Sequence, residues 1–252
     1  MIVAENLSKT FEGKTVLNNV SGNFYKGKAN MIIGASGSGK TVLMKCTVGL
    51  HEPEIGKVYF DDRDFTGMSY QQKKELRKEM GMLFQGGALF DSLTVEGNVG
   101  FALQIFTNKT KKEIKDRVNS CLERVNLYKV NHLLPSELSG GMKKRVGIAR
   151  SIALNPRYLF VDEPNSGLDP QTANVIDQLI KEITLDFGIT TVINTHDMNS
   201  VFEIGDHLIF LHQGEKQWEG NPSDIKESNN EHMLNFVYAS NFMTEKFGMN
   251  KD

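Results

Sequence analysis

Short apolar runs broken by Gly and Asn open the chain. Val16-Leu17, Val20 and Phe24-Tyr25 lie within residues 2–34 in a pattern that predicts antiparallel strands rather than helix. Met31-Ile32-Ile33 is a continuous apolar run, the mark of a short buried strand, and a helix is predicted over 40–50, stopped near Gly49. Strand texture returns from Gly56 to Phe65. Ser69 stands where a capping hydroxyl opens a charged helix reaching about Met80, and Gly81-Met82-Leu83-Phe84 predicts a further strand.

From Gly86 to about Glu137 the texture turns helical: Ile114, Val118, Cys121, Leu122 and Val125 recur at the spacing of one helix face. Alternation then resumes, with strands near 157–162, 190–195 and 207–212 and helices near 170–187 and 197–204, which predicts a parallel core sheet. The fold class is therefore α/β. Residues 1–227 read as the main domain with a helical subdomain over about 86–150, and 228–252 as a C-terminal amphipathic extension. A helix over 231–247 would place Met233, Phe236, Val237, Met243 and Phe247 on one apolar stripe. That stripe has two readings: it packs on its own domain, or it braces a second subunit or an accessory protein.

Composition narrows the class. Apolar residues make up 39% and charged residues 24%, and no apolar run reaches the length of a membrane span. The opening Met1-Ile2-Val3-Ala4-Glu5-Asn6 is acidic and alternating, unlike a signal peptide. A balance of 29 basic against 31 acidic residues, net −2, speaks against a nucleic-acid partner. Cys46 and Cys121 form no CxxC pair or disulfide framework, which fits a reducing compartment, and the six histidines show no zinc spacing.

Three stretches carry chemistry. Gly34-Ala35-Ser36-Gly37-Ser38-Gly39-Lys40-Thr41 fits G-x-x-x-x-G-K-[ST] between a strand and a helix. Its glycines let backbone N–H groups close around phosphate oxygens, the helix N-terminus adds partial positive charge, Lys40 reaches the β- and γ-phosphates, and the Thr41 hydroxyl ligates Mg²⁺. The strand Tyr158–Val161 delivers Asp162-Glu163 at its end, where an Asp supports the Mg²⁺ shell in phosphate-loop enzymes. Leu138-Ser139-Gly140-Gly141-Met142 opens a helix, with Ser139 as N-cap and the glycines leaving backbone donors free for an anion.

In this order, these stretches resemble the nucleotide-binding subunit of an ABC transporter over nearly the whole chain. The resemblance implies a P-loop NTPase core of ABC type, with an antiparallel β-subdomain and an inserted helical subdomain, that hydrolyses ATP. It implies that Glu163 is the base polarising the attacking water, that Gln85 senses the γ-phosphate and Mg²⁺, and that His196 is the switch histidine. It further implies that Ser139, Gly140 and Gly141 contact the γ-phosphate held by a second copy of the chain. Ser166-Gly167-Leu168-Asp169 matches the loop that communicates between the two sites, with Asp169 near the nucleotide. Phe11 falls where the family stacks an aromatic ring on adenine, its alternative being a core phenylalanine. Val42 replaces a hydroxyl residue common in the family, which removes a side-chain contact to the α-phosphate, and Met142 replaces the usual Gln.

Phe84-Gln85-Gly86-Gly87-Ala88-Leu89-Phe90 and the Met-ending signature are similar to the Mla-type branch, whose ATPases drive phospholipid or other hydrophobic-substrate traffic across the Gram-negative envelope. That resemblance implies transmembrane permease subunits as partners, with a small regulatory protein and a substrate-binding lipid-transfer protein beside them. It also implies a cytoplasmic location on the inner face of the inner membrane. The alternatives are the ATPase of another ABC importer or lipoprotein-release system, and a soluble ABC assembly factor without a permease.

Overall fold

A computed structural model describes residues 1–239, arranged as two compact units: Met1–Lys73 together with the chain from Thr190 onward, and Lys74–Ile189. The elements in chain order are β1 (Ile2–Phe11), β2 (Lys14–Phe24), β3 (Ala29–Ile33), α1 (Lys40–Thr47), β4 (Ile55–Phe60), β5 (Arg63–Asp64) and α2 (Tyr70–Arg77). Then come β6 (Met80–Leu83), α3 (Val95–Phe106), α4 (Lys111–Arg124), α5 (Gly140–Ser151), β7 (Tyr158–Asp162) and α6 (Pro170–Asp186). The chain continues through β8 (Thr190–Thr195), α7 (Met198–Ile204), β9 (His207–His212), β10 (Glu215–Gly220) and α8 (Glu231–Ala239). No helix among the described residues is long and apolar enough to cross a membrane.

In the first unit, β1 lies between β2 and β4, antiparallel to both, as the alternation over residues 2–34 predicts for its first half. Residues 56–65, expected as one strand, form a hairpin instead: β4 and β5 pair antiparallel across a turn in which Asp61 takes a left-handed φ of 51°. β3 runs parallel to β8 on one side and to β9 on the other. Its five residues are all buried, which is what an unbroken apolar run requires when both faces are covered. The edge of this sheet departs from the all-parallel expectation, because β10 returns antiparallel to β9 through Gln213-Gly214. Both turn residues are left-handed, φ 49° and 82°, the pattern of a two-residue hairpin whose twist matches its strands.

In the second unit, β6 and β7 pair in parallel, α5 packs on β6, and α3, α4 and α6 pack on α5. The helical texture expected from residue 86 begins at Val95, where Thr94 Oγ1 caps α3 by accepting from the Gly97 N–H. Thr110 and Glu113 close a capping box at the start of α4. Of the predicted stripe, Val118, Cys121 and Leu122 of α4 and Val125 just past its end are buried, while Ile114 is half-buried. Ser69 and Gln72 cap α2 reciprocally, but α2 ends at Arg77 and Met80 already belongs to β6.

The described part of the C-terminal extension turns its stripe onto its own unit. Met233 and Val237 are fully buried, the Phe236 ring lies 5.5 Å from Phe210 of β9, and His232 stacks 4.3 Å from His212. Met243 and Phe247, the rest of the expected stripe, lie outside the described residues. Cys46 and Cys121 are both buried free thiols, and burial pushes each up to about 11, which keeps them protonated and inert.

Candidate functional site

The phosphate loop is built by the end of β3 and the start of α1. Gly34, Gly37 and Gly39 take φ of 149°, 79° and 106°, so the loop runs through backbone space closed to most side chains. At Gly34 the requirement is steric as well: an added Cβ would meet the Leu211 carbonyl and lie 2.7 Å from Ser38 Oγ. Lys40 is buried, and its ammonium donates to the carbonyls of Gly34 at 2.8 Å and Ala35 at 3.1 Å, lying across the mouth of the loop. Ser38 Oγ is buried with no hydrogen-bond partner, which marks a place for an incoming acceptor or donor. A glycine cradle, a buried ammonium and an orphaned hydroxyl fit a nucleotide phosphate chain. Ala35, Ser36 and Gly37 form the exposed crown, and Thr41 and Val42 are half-buried on the first turn of α1.

The β3–β8 register pairs Ile33 with Thr195, so the next residues, Gly34 and His196, leave the sheet side by side at its carboxyl end. His196 is exposed there, and Asp197 behind it caps α7 by accepting from the Asn199 N–H. Phe11 ends β1 with 37% of its surface exposed, which rejects the core placement. Its ring is held edge-on by His51 at 5.2 Å, with the Lys9 ammonium 5.2 Å from its centroid and Glu54 fixing that ammonium at 2.7 Å. Burial, with Lys45 and Lys9 nearby, holds the His51 imidazole below its ordinary range.

The second unit repeats this placement at its own strand ends. β6 and β7 pair Leu83 with Val161, so Gln85 and Glu163 stand level, two residues beyond that pair. Asp162 is the buried last residue of β7. Glu163 has a left-handed φ of 47°, uncommon for a residue with a side chain. The Gln85 amide donates to Ser166 Oγ at 3.2 Å, and the Ser166 N–H donates back to the Glu163 carbonyl at 3.3 Å. Ser139 caps α5 as its type predicts, accepting from the Met142 N–H. Gly140 is exposed, while a Cβ on Gly141 would lie 2.6 Å from Thr172 Cγ2, so this end of α5 is packed against α6. Asp169 caps α6, and hydrogen bonds from the Thr172 hydroxyl and N–H hold its carboxyl below the usual range.

Two basic residues absent from the sequence reading belong to this arrangement. Lys144 of α5 is buried and donates to the backbone carbonyls of Gln85 and Glu163. Arg150 donates to the carbonyls of Gly87 and Ala88, with its guanidinium 5.8 Å from the centre of the Phe90 ring. Once α5 is placed, Lys144 falls on its buried stripe with Gly141, Ile148 and Ser151, where a charge is out of keeping.

Comparison with known proteins places these features in context. The family described as ABC transporter matches residues 17–166. The chain is 43% identical over 228 residues to the methionine import ATP-binding protein MetN of Carboxydothermus hydrogenoformans, covering 89% of this chain and 67% of that one. It is 38% identical over 261 residues to MetN of Campylobacter jejuni, covering 97% and 78%. Among solved structures, the dimeric bacterial ABC transporter cassette MJ0796 superposes with a TM-score of 0.81 at 32% identity, over 88% of this chain and 99% of that one. The cbiO1 protein of Clostridium perfringens, part of the ABC transporter complex cbiONQ, gives 0.83 at 28% identity, over 98% and 95%.

Proposed function

Because this chain belongs to the ABC transporter ATP-binding family, whose members hydrolyse ATP with Mg²⁺ to drive transport, we propose that two copies close on two Mg-ATP and move permease subunits at the cytoplasmic face of the inner membrane. The observation that carries this reading is the phosphate loop, with its buried Lys40 and its orphaned Ser38 hydroxyl. Lys40 neutralises the β- and γ-phosphates, and Thr41, Gln85 and Asp162 serve the Mg²⁺ shell. Bound Mg²⁺ supplies charge stabilisation at the phosphates. Glu163 orients and deprotonates the attacking water, His196 is the switch histidine, and Phe11 carries the adenine. Ser139, Gly140 and Gly141 read the γ-phosphate of the opposite copy, and Asp169 lies at that shared boundary.

For the substrate, the similarity to methionine import ATPases favours the importer alternative over the phospholipid reading drawn from the Mla-type resemblance. We therefore put an importer of a small polar solute such as an amino acid first. The lipid reading keeps one specific support: Met142 in the signature, together with the Gly87-Ala88 turn that Arg150 of the same helix holds. A regulatory protein and a lipid-transfer protein are partners only in that second case.

The test uses the transporter purified with its permease in vesicles. Glu163→Gln is expected to keep ATP binding and lose about 10²–10⁴ of the hydrolysis rate, as removal of a general base does. Near-normal turnover in that variant rejects the assignment of Glu163. Stimulation of the wild type by methionine supports the importer, and stimulation by phospholipid supports the lipid reading.

A further inference from the structure

We infer that Lys144 is a positioning residue of the hydrolytic site: its ammonium ties the backbone at Gln85 and at Glu163 to the helix that begins at Ser139. The inference rests on the roles proposed for Gln85 and Glu163, and it adds a residue that the sequence motifs do not assign.

Three observations carry it. Lys144 is only 5% exposed, on the inward stripe of α5, where an aliphatic side chain would cost far less desolvation. Its ammonium is spent on two carbonyls, those of Gln85 and Glu163, which the β6–β7 register sets level with each other beyond the paired strands. Glu163 also holds a left-handed φ of 47°, a conformation that persists only where its surroundings over-determine it. The Glu163 carbonyl accepts from Lys144 at 3.3 Å and from the Ser166 N–H at 3.3 Å, and these contacts fix the peptide that aims the carboxylate.

One flexible stem with three donors can reach two carbonyls set level just beyond a strand pair. Lys144 lies a little over one turn along α5 from the Gly140-Gly141 end. A shift of that end therefore reaches the Gln85 and Glu163 backbones through a single side chain.

The experiment compares Lys144→Met, which keeps the stem and deletes the donors, with Lys144→Arg, which restores donors, and with Lys144→Gln. All are assayed as full-length protein in the assembled transporter, below each variant's unfolding midpoint. Lys144→Met is expected to lower kcat about ten- to hundred-fold, the scale of a small misplacement of catalytic groups, while KM and ATP affinity by titration stay within about three-fold of wild type. Lys144→Arg is expected to recover most of kcat. If Lys144→Met does not fold, Lys144→Gln, with one amide donor pair, is expected to show the same split at smaller amplitude. A folded Lys144→Met or Lys144→Gln with wild-type kcat overturns the inference, as does a loss shared equally by kcat and ATP affinity. Glu163→Gln run in parallel separates the two readings. If it is inactive while Lys144→Met is active, only the positioning role fails; if it is active, the assignment of Glu163 fails.

Discussion

Replacing Gly34 by Ala tests the phosphate loop where its geometry is tightest. The new Cβ would collide with the Leu211 carbonyl oxygen, lie 3.3 Å from its carbon and 2.7 Å from Ser38 Oγ. The Ser38 hydroxyl can rotate away, but Leu211 is backbone of a buried strand and cannot. Overpacking of this kind costs about 1–3 kcal/mol, and a side chain at φ 149° adds strain of about 1–3 kcal/mol. The control is Gly37→Ala on the same loop, where φ is 79° and nothing lies within 4 Å of the added carbon. There only left-handed strain of about 1–2 kcal/mol remains, because the gain of about 0.4–1 kcal/mol from the stiffer unfolded chain is common to both variants. The two variants should therefore differ by about 2–4 kcal/mol, or about 5–15 °C in thermal midpoint for a domain of this size. Differential scanning fluorimetry with and without Mg-ATP reads both the midpoint and the nucleotide-induced rise, which the displaced loop of Gly34→Ala should forfeit. Midpoints agreeing within about 2 °C would refute the steric argument.

Two further outcomes follow from the first unit. Glu219 is held down from its ordinary 4.5 to about 2, first by the hydrogen bond from His207 and then by Lys216. A carboxylate depressed on folding contributes stability that is full above its unfolded value and lost as pH falls through the folded one. The wild type should thus lose its advantage over Glu219→Gln between about pH 4.5 and pH 2, and urea midpoints that stay equally separated across that window would contradict it. Truncation after Asn230 exposes the seats of Met233 and Val237, each contributing about 1.5–3 kcal/mol when buried, so the shortened chain should melt markedly lower. An unchanged midpoint with weakened ATP-dependent dimerisation would instead give the helix to a partner.

The runs that are buried on both faces were the legible ones. Met31-Ile32-Ile33 and Tyr158-Leu159-Phe160-Val161 admit few conformations other than an inner strand, and the motifs attached to their ends inherit that placement. Glu215–Gly220 escaped because an edge strand with exposed and half-buried residues carries no alternation, and its only signal is the glycine of the preceding turn. The Gly56–Phe65 hairpin escaped for a similar reason, since Asp61 supplies the left-handed turn without glycine. Lys144 was hidden in a basic run, Lys143-Lys144-Arg145, that reads as a solvated face until α5 is placed. The transported solute is written nowhere in this chain's site, which is addressed to phosphates.

The backbone at Glu163 sets folding and chemistry against each other at a single codon. A residue without a side chain would relax there, yet the carboxylate is the one group the proposed reaction cannot spare. A library of variants ranked by heat resistance alone would therefore enrich glycine at this position and return proteins that are well folded, bind nucleotide and do no work. Stabilising this cassette without disarming it means screening for turnover at every round, or keeping position 163 out of the library.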